Sequence, residues 1–266
     1  MVERPHDEPG EVLWARLTAG ELTARAAADA IVLLPVASTE QHGPHMATGV
    51  DTILCGEACR RTAERIAKHR PVVVAPVVWM GLAEHHQAFG GTFTLTLPIW
   101  HALLADLCRS IARAGFKRIC IVNGHGGNMA ALAALTTDLT REVGLPIATT
   151  SYWNLAHATG AFAEILDRQQ GVLHACEAET SMMLAVAADC VRRERLAEAK
   201  GPEHLTLAPM GSALGGPLGR WRSFQEISVN GVIGDASIAT AEKGERLLDV
   251  AADLLAVELI AGRPWD

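Results

Sequence analysis

Short blocks of β-branched and aliphatic residues alternate along this chain with longer stretches whose apolar positions recur every three to four residues. The first kind of block predicts buried strands and the second predicts amphipathic helices. Five blocks read as strands: Ala30–Val36 (AIVLLPV), Pro71–Val78 (PVVVAPVV), Thr92–Leu97 (TFTLTL), Lys117–Val122 (KRICIV) and Pro146–Thr150. Helices are expected from about Thr52 to Lys68, from Pro98 to a stop at Gly115, and from about Met129 to Val143. Proline is favoured in a first helical turn and glycine just past a last one, which fixes the second of these. A final amphipathic helix puts Ile238, Leu247, Leu248, Ala251, Leu254, Leu255 and Val257 mainly on one face. Alternating strands and helices imply an α/β fold with a largely parallel sheet flanked by helices. Lys200–Asp235 is rich in Gly and Pro and has little periodicity; it reads as ordered loop, a lid or a subunit contact.

At 266 residues with no repeat or low-complexity linker, one domain over 1–266 is the simplest organisation. Hydrophobic residues make up 49% of the chain and aromatic ones only 5%, so the core must be aliphatic. The net charge of −7, with no run of Lys or Arg, gives no electrostatic footprint for nucleic acid or an anionic membrane. No apolar window is long enough to cross a bilayer, and MVERPHDEPGEVLW lacks the apolar stretch of a signal peptide. None of the six cysteines forms a C-x-x-C pair, and most lie in apolar runs, so buried reduced thiols in a cytoplasmic protein are expected.

Potential metal ligands collect in loops that follow strands, where open α/β folds bind ligands. In STEQHGPHMATGVD, Ser38–Asp51, an extended backbone points Glu40 and His42 to the same side. Asp51 sits just before the next helix, where a carboxylate also suits a plain N-cap. His45 suits a packing role better than a ligand role. In NGHGGN, Asn123–Asn128, flanking glycines bring His125 into the open; the spacing is not that of a phosphate loop. Carboxylates with imidazoles form a donor set for Zn, Mn or Fe. His85 and His86, in the loop Trp79–Thr92, either line the pocket or sit at the surface. In HACEAETS, helical geometry would place His174, Glu177 and Ser181 on one face; an ordinary acidic helix start is the plainer reading of that segment alone.

Together STEQHGPH, EHHQAFGGT, NGHGGN, the SYWN at Ser151–Asn154, HACEAETS and the ATAEKG before the last helix resemble the creatininase (creatinine amidohydrolase) family through most of the chain. The resemblance implies a two-metal site, hydrolysis of small amides and a homo-oligomer, with a hexamer as the candidate form. It assigns Glu40 and His125 to one metal, His42 to the other and Asp51 as the bridge. His174 matches the active-site histidine and Trp153 a substrate-packing aromatic; His86 and Gly126 are further candidates for the substrate wall. Two departures stand out. Creatininase has an aromatic and a ligating Glu where this chain has Gly126 and Gly127, and a Trp shortly before the active-site His where this chain has QQGVL. The second cation therefore needs another carboxylate. Glu177 is preferred over Glu179 because i, i+3 spacing aligns it with His174.

The activity expected is metal-dependent cleavage of a small cyclic amide by a metal-bridging hydroxide, with His174 as proton donor to the leaving nitrogen. Ring-opening of a cyclic ketone of the keto-inositol type and a non-catalytic metal-binding module are the alternatives.

Overall fold

A computed structural model describes residues 10–207 and 220–265. Four of the five apolar runs become strands of one parallel sheet. After helix α1 (Ala19–Ala27), strand β1 (Ile31–Val36) leads through the STEQHGPH loop to α2 (Val50–Ile66). Then follow β2 (Val72–Val74), α3 (Leu97–Arg113), β3 (Arg118–Asn123), α4 (Met129–Val143), β4 (Ile147–Ser151) and the short α5 (Asn154–Thr159). The chain continues with α6 (Glu177–Val186), the one-turn α7 (Glu203–Thr206) and α8 (Ala241–Ile260). Strand order is β2-β1-β3-β4, with Ile31 opposite both Val72 and Arg118.

Side-chain alternation divides the core into two layers. Ile31, Leu33, Val72, Val74, Cys120 and Val122 face a cluster built by α2, α6 and α8. Val32, Leu34, Val36, Val73, Ile119 and Ile121 face a second cluster built by α3 and α4. Helices on both faces explain why β1 is apolar without interruption: a parallel strand buried on two sides has no polar face to show.

The run Thr92–Leu97 is not a strand. Phe93 and Thr94 make only isolated bridges, to Thr39 and Gly81, and no residue from 91 to 99 is buried. The alternation there has no neighbour to cover its apolar side, and α3 already begins at Leu97. The Pro71–Val78 strand is shortened to three residues plus one bridge from Val78 to Val36. Asp51 lies inside α2, whose N-cap is Gly49, and not just before the helix. Ile238 lies in a short turn (Ala236–Ile238) ahead of α8, whose N-cap is Thr240, and Val257 is largely exposed instead of joining the buried stripe. Of Lys200–Asp235, residues 208–219 lie outside the described residues. Within the remainder Phe224 is buried and Ile233 bridges His174, whereas Trp221 and Val229 are exposed. Among the described residues no helix is long and apolar enough to cross a membrane.

From β1 the chain passes to β2 on one side, and from β3 to β4 on the other. The crevice beyond the carboxyl ends of β1 and β3 is thus the switch point at which such sheets bind ligands. Both ligand-bearing loops leave from these two strands. The far wall comes from α6, which α8 holds in place at very short range: a Cβ on Gly244 would lie 1.9 Å from the Ser181 carbonyl oxygen. Gly244→Ala should force α6 and α8 apart and cost roughly 1–3 kcal/mol or more, the scale of an overpacked core. Equilibrium urea unfolding of the two proteins measures it; an unchanged midpoint would refute the close-packing argument.

Candidate metal centre

Glu40, His42, Asp51, His125, His174 and Glu179 are all buried and meet in the crevice. Among the described residues, three groups of ligand atoms each fall within 4.8 Å of one another: Glu40, Asp51 and His125; His42, Asp51 and Glu179; and Glu40, His42 and His174. Asp51 belongs to the first two groups. Its Oδ2 lies 3.0 Å from His125 Nδ1 and its Oδ1 3.1 Å from His42 Nε2. Glu40 Oε2 lies 3.1 Å from His125 Nδ1.

These contacts are close but are not hydrogen bonds. Both Glu40 oxygens, Asp51 Oδ2 and His42 Nε2 are buried without a correctly angled partner. Buried polar atoms are nearly always paired in folded proteins. Lone pairs that crowd together without pairing suit a shared cation, and the carboxylate and imidazole donors suit a borderline divalent one. The opposite ring nitrogens fit the same picture. His42 Nδ1 sits 3.2 Å from the Glu40 carbonyl and His125 Nε2 3.2 Å from the Leu82 carbonyl. A carbonyl only accepts, so each ring keeps its hydrogen on that side and turns its bare nitrogen to the cluster.

Electrostatics follow from burial and crowding. Burial pushes the Glu40 carboxyl up, against the pull of His125. For Asp51 the neighbouring His42 and His125 outweigh burial and hold the carboxyl well below its usual range. Burial opposes charge on His125, yet Glu40 and Asp51 overcome it and lift the ring to about 10. His42 is raised likewise against burial, by Asp51 and then Glu179. A cation entering the cluster takes the place of these protons. The outer imidazoles go the other way: burial lowers His174 and His86 far below the ordinary range, and His85 to about 4.

Local sequence explains the positions. Asn123 accepts from the His125 N–H at 3.1 Å and donates to the His125 carbonyl at 2.7 Å, clamping the loop from both sides. Asn128 ties that loop to Ala37 and Leu82. Both asparagines stand in NGHGGN, but their roles could not be read from the string. Gly127 is compulsory, because a Cβ there would lie 2.4 Å from His125 Nε2 and 2.5 Å from the Leu82 carbonyl. A Cβ on Gly126 meets nothing within 4 Å.

The structure corrects the assignment of Glu177. Its carboxylate is buried against Lys243 at 2.6 Å and accepts the Asp167 N–H at 3.1 Å, away from the ligand groups. Glu179 is the acid beside the cluster, 3.9 Å from His42 Nε2. The i, i+3 argument fails because α6 starts at Glu177: His174 lies outside the helix, paired with Ile233, and Ala175 turns the chain at φ +51. His174 stands 3.7 Å from Glu40 Oε1, and its ring stacks on His86 at 4.4 Å. His86 Nε2 is 3.2 Å from Glu40 Oε1. His45 is buried, bonded to Thr180 and outside the ligand groups. Trp153, His86 and Gly126 all line a cavity of about 520 Å3 that opens from the cluster, together with Met129, Leu173 and Phe224.

A family model described as creatininase, creatinine amidohydrolase, matches residues 15–259. The chain belongs to the creatininase family. It is accordingly a hydrolase of the class that acts on C–N amide bonds. A mycofactocin precursor peptide peptidase of Mycolicibacterium smegmatis is 32% identical over 219 residues, spanning 82% of this chain and 79% of the relative. The creatinine amidohydrolase of Pseudomonas putida is 28% identical over 267 residues, spanning 93% and 94%. A 3-dehydro-scyllo-inosose hydrolase of Thermotoga maritima is 27% identical over 266 residues, spanning 94% and 83%. A solved structure of creatinine amidohydrolase superposes with a TM-score of 0.80 at 27% identity, covering 97% of this chain and 99% of that one. Other solved creatininases are described as Mn and Zn-Zn forms.

Glu179→Gln should lower the bound divalent metal, measured by elemental analysis of protein exchanged into metal-free buffer. Glu177→Gln should keep the metal and instead lose roughly 1–3 kcal/mol of stability through its weakened bond to Lys243. The reverse pattern would return the ligand role to Glu177.

Proposed function

We propose that this chain hydrolyses the amide bond of a neutral substrate with an apolar flank, in a site for two divalent cations bridged by Asp51. The observation that carries this reading is the membership of Asp51 in two three-residue ligand groups. Glu40 and His125 would complete one site, and His42 and Glu179 the other. Bound there, the cations supply Lewis-acid activation of water and polarisation of the carbonyl.

The chain's own residues do the rest. His174, beside Glu40 at the cavity floor, holds the proton that water gives up on addition to the carbonyl and returns it to the leaving nitrogen. Trp153, Leu173, Met129 and Phe224 form an apolar wall that binds the flank of the substrate and excludes water. Gly126 leaves open the space that an aromatic fills in creatininase, so the cavity takes a longer group than creatinine and stacks a small ring poorly. The likeness to a precursor peptide peptidase supports an amide in a peptide-like setting.

A second reading, opening of a cyclic ketone, is favoured by the likeness to the inosose hydrolase. The apolar wall speaks against it, because a hydroxyl-rich ring would bury polar groups without partners there.

Elemental analysis should find about two divalent cations per chain, with activity lost to prolonged chelation and restored by Mn or Zn. Metal-free protein that keeps full activity would refute the mechanism. In a panel of creatinine, keto-inositol and short N-acyl and peptide amides, the apolar amides should show the highest kcat/KM. Creatinine turnover matching the best amide would overturn the reading of Gly126, and turnover of the ketone alone would overturn amide hydrolysis.

A further inference from the structure

Gln41 stands between two residues assigned to the metal ligands, yet its side chain turns away from them and is buried. Its orientation is fixed without ambiguity. Oε1 accepts the Gly43 N–H at 2.9 Å, and Nε2 donates to the Gly231 carbonyl at 3.2 Å. A Cβ on Gly231, at φ +74, would lie 2.1 Å from Gln41 Oε1, so the carboxamide is held tightly in this slot. The same Nε2 lies 2.9 Å from His86 Nδ1 and 2.9 Å from His174 Nε2.

Those contacts offer three acceptor positions to two hydrogens, and counting hydrogens resolves them. His86 Nδ1 lies 2.9 Å from Gln41 Nε2, which can only donate, so Nδ1 must be bare and takes one amide hydrogen. The ring's own hydrogen is then on Nε2, on the side of Glu40. The Gly231 carbonyl, which only accepts, takes the other. No amide hydrogen is left for His174. Its Nε2 lies 3.0 Å from the Gln41 main-chain carbonyl, to which it can only donate. His174 thus carries its hydrogen on Nε2.

We infer that Gln41 is a positioning residue: through one carboxamide and one carbonyl it locks His86 and His174 in the Nε2–H tautomer, which leaves His174 Nδ1 as the bare nitrogen facing Glu40. This deepens the proposed amide hydrolysis and rests on it for its consequence, since only a bare Nδ1 can take up the proton that the addition of water releases. It also gives His174 the same pattern as His42 and His125, each with one N–H spent on a backbone carbonyl. Phe224 packs against the His86 ring at 4.4 Å.

The test reads the tautomers directly. Long-range 1H–15N correlation spectra of zinc-loaded protein carrying 15N-histidine distinguish protonated from bare ring nitrogens, and His86→Gln and His174→Gln assign the two rings. The wild type should show a protonated Nε2 and a bare Nδ1 for both. Gln41→Glu keeps the acceptor for Gly43 and the side-chain shape but removes the donor. It should move hydrogen onto His86 Nδ1 and lower kcat by roughly 10²–10⁴-fold with little change in KM, the scale of a misplaced imidazole tautomer. Metal content should stay the same. A wild-type His174 with its hydrogen on Nδ1, or a Gln41→Glu spectrum with both rings unchanged, would overturn the inference. If the variant does not fold, the wild-type spectrum decides alone. No turnover is needed for that spectrum, so failure of the amide reading on the substrate panel is a separate result.

Discussion

Three carboxylates and three imidazoles converge in one water-poor crevice, and ionised groups can persist there only if charges and lone pairs are balanced. Glu40, Asp51 and Glu179 supply the negative charge, and His42 and His125 turn bare nitrogens toward it. A cation relieves both the repulsion among carboxylates and the absence of aligned donors. Much of the surrounding architecture follows from holding these groups together against their tendency to separate. The central strands deliver the two loops, the asparagine brackets immobilise His125, and α8 presses α6 inward so that Glu179 reaches the cluster.

Two buried glutamates two residues apart show how the same side chain serves different ends. Glu177, at the first position of α6, accepts backbone N–H groups and pairs with Lys243, so it fastens α6 to the segment around Asp167 and to α8. Among the described residues Glu179 pairs with no lysine or arginine, and it faces His42. The difference comes from direction: residues two apart on a helix project to nearly opposite sides. One side of α6 here fastens the helix to its neighbours and the other faces the cluster. The glycines divide in a similar way. Gly127 is held by contact with His125 and the Leu82 carbonyl, whereas Gly126 borders empty space and widens the cavity.

The string of residues determined a good deal. Uninterrupted aliphatic runs marked the buried parallel strands, because strands covered on both faces have no polar side. Met129–Val143 is bounded as expected, since Gly144 ends it in a left-handed conformation. Glu40, His42, Asp51 and His125 were legible as candidates because they stand in loops that follow apolar strands, and the resemblance to creatininase joined them as a group. Tertiary structure decided the rest. TFTLTL alternates like a strand but has no neighbour to cover it, and alternation cannot report a missing neighbour. The choice between Glu177 and Glu179 turned on a helix beginning after His174, and on Lys243, which is 66 residues further along the chain. Gln41 carries no distinguishing signal in the sequence. Its role depends on Gly231, His86 and His174, and the hydrogen count that fixes the tautomers exists only once those distant groups share one pocket.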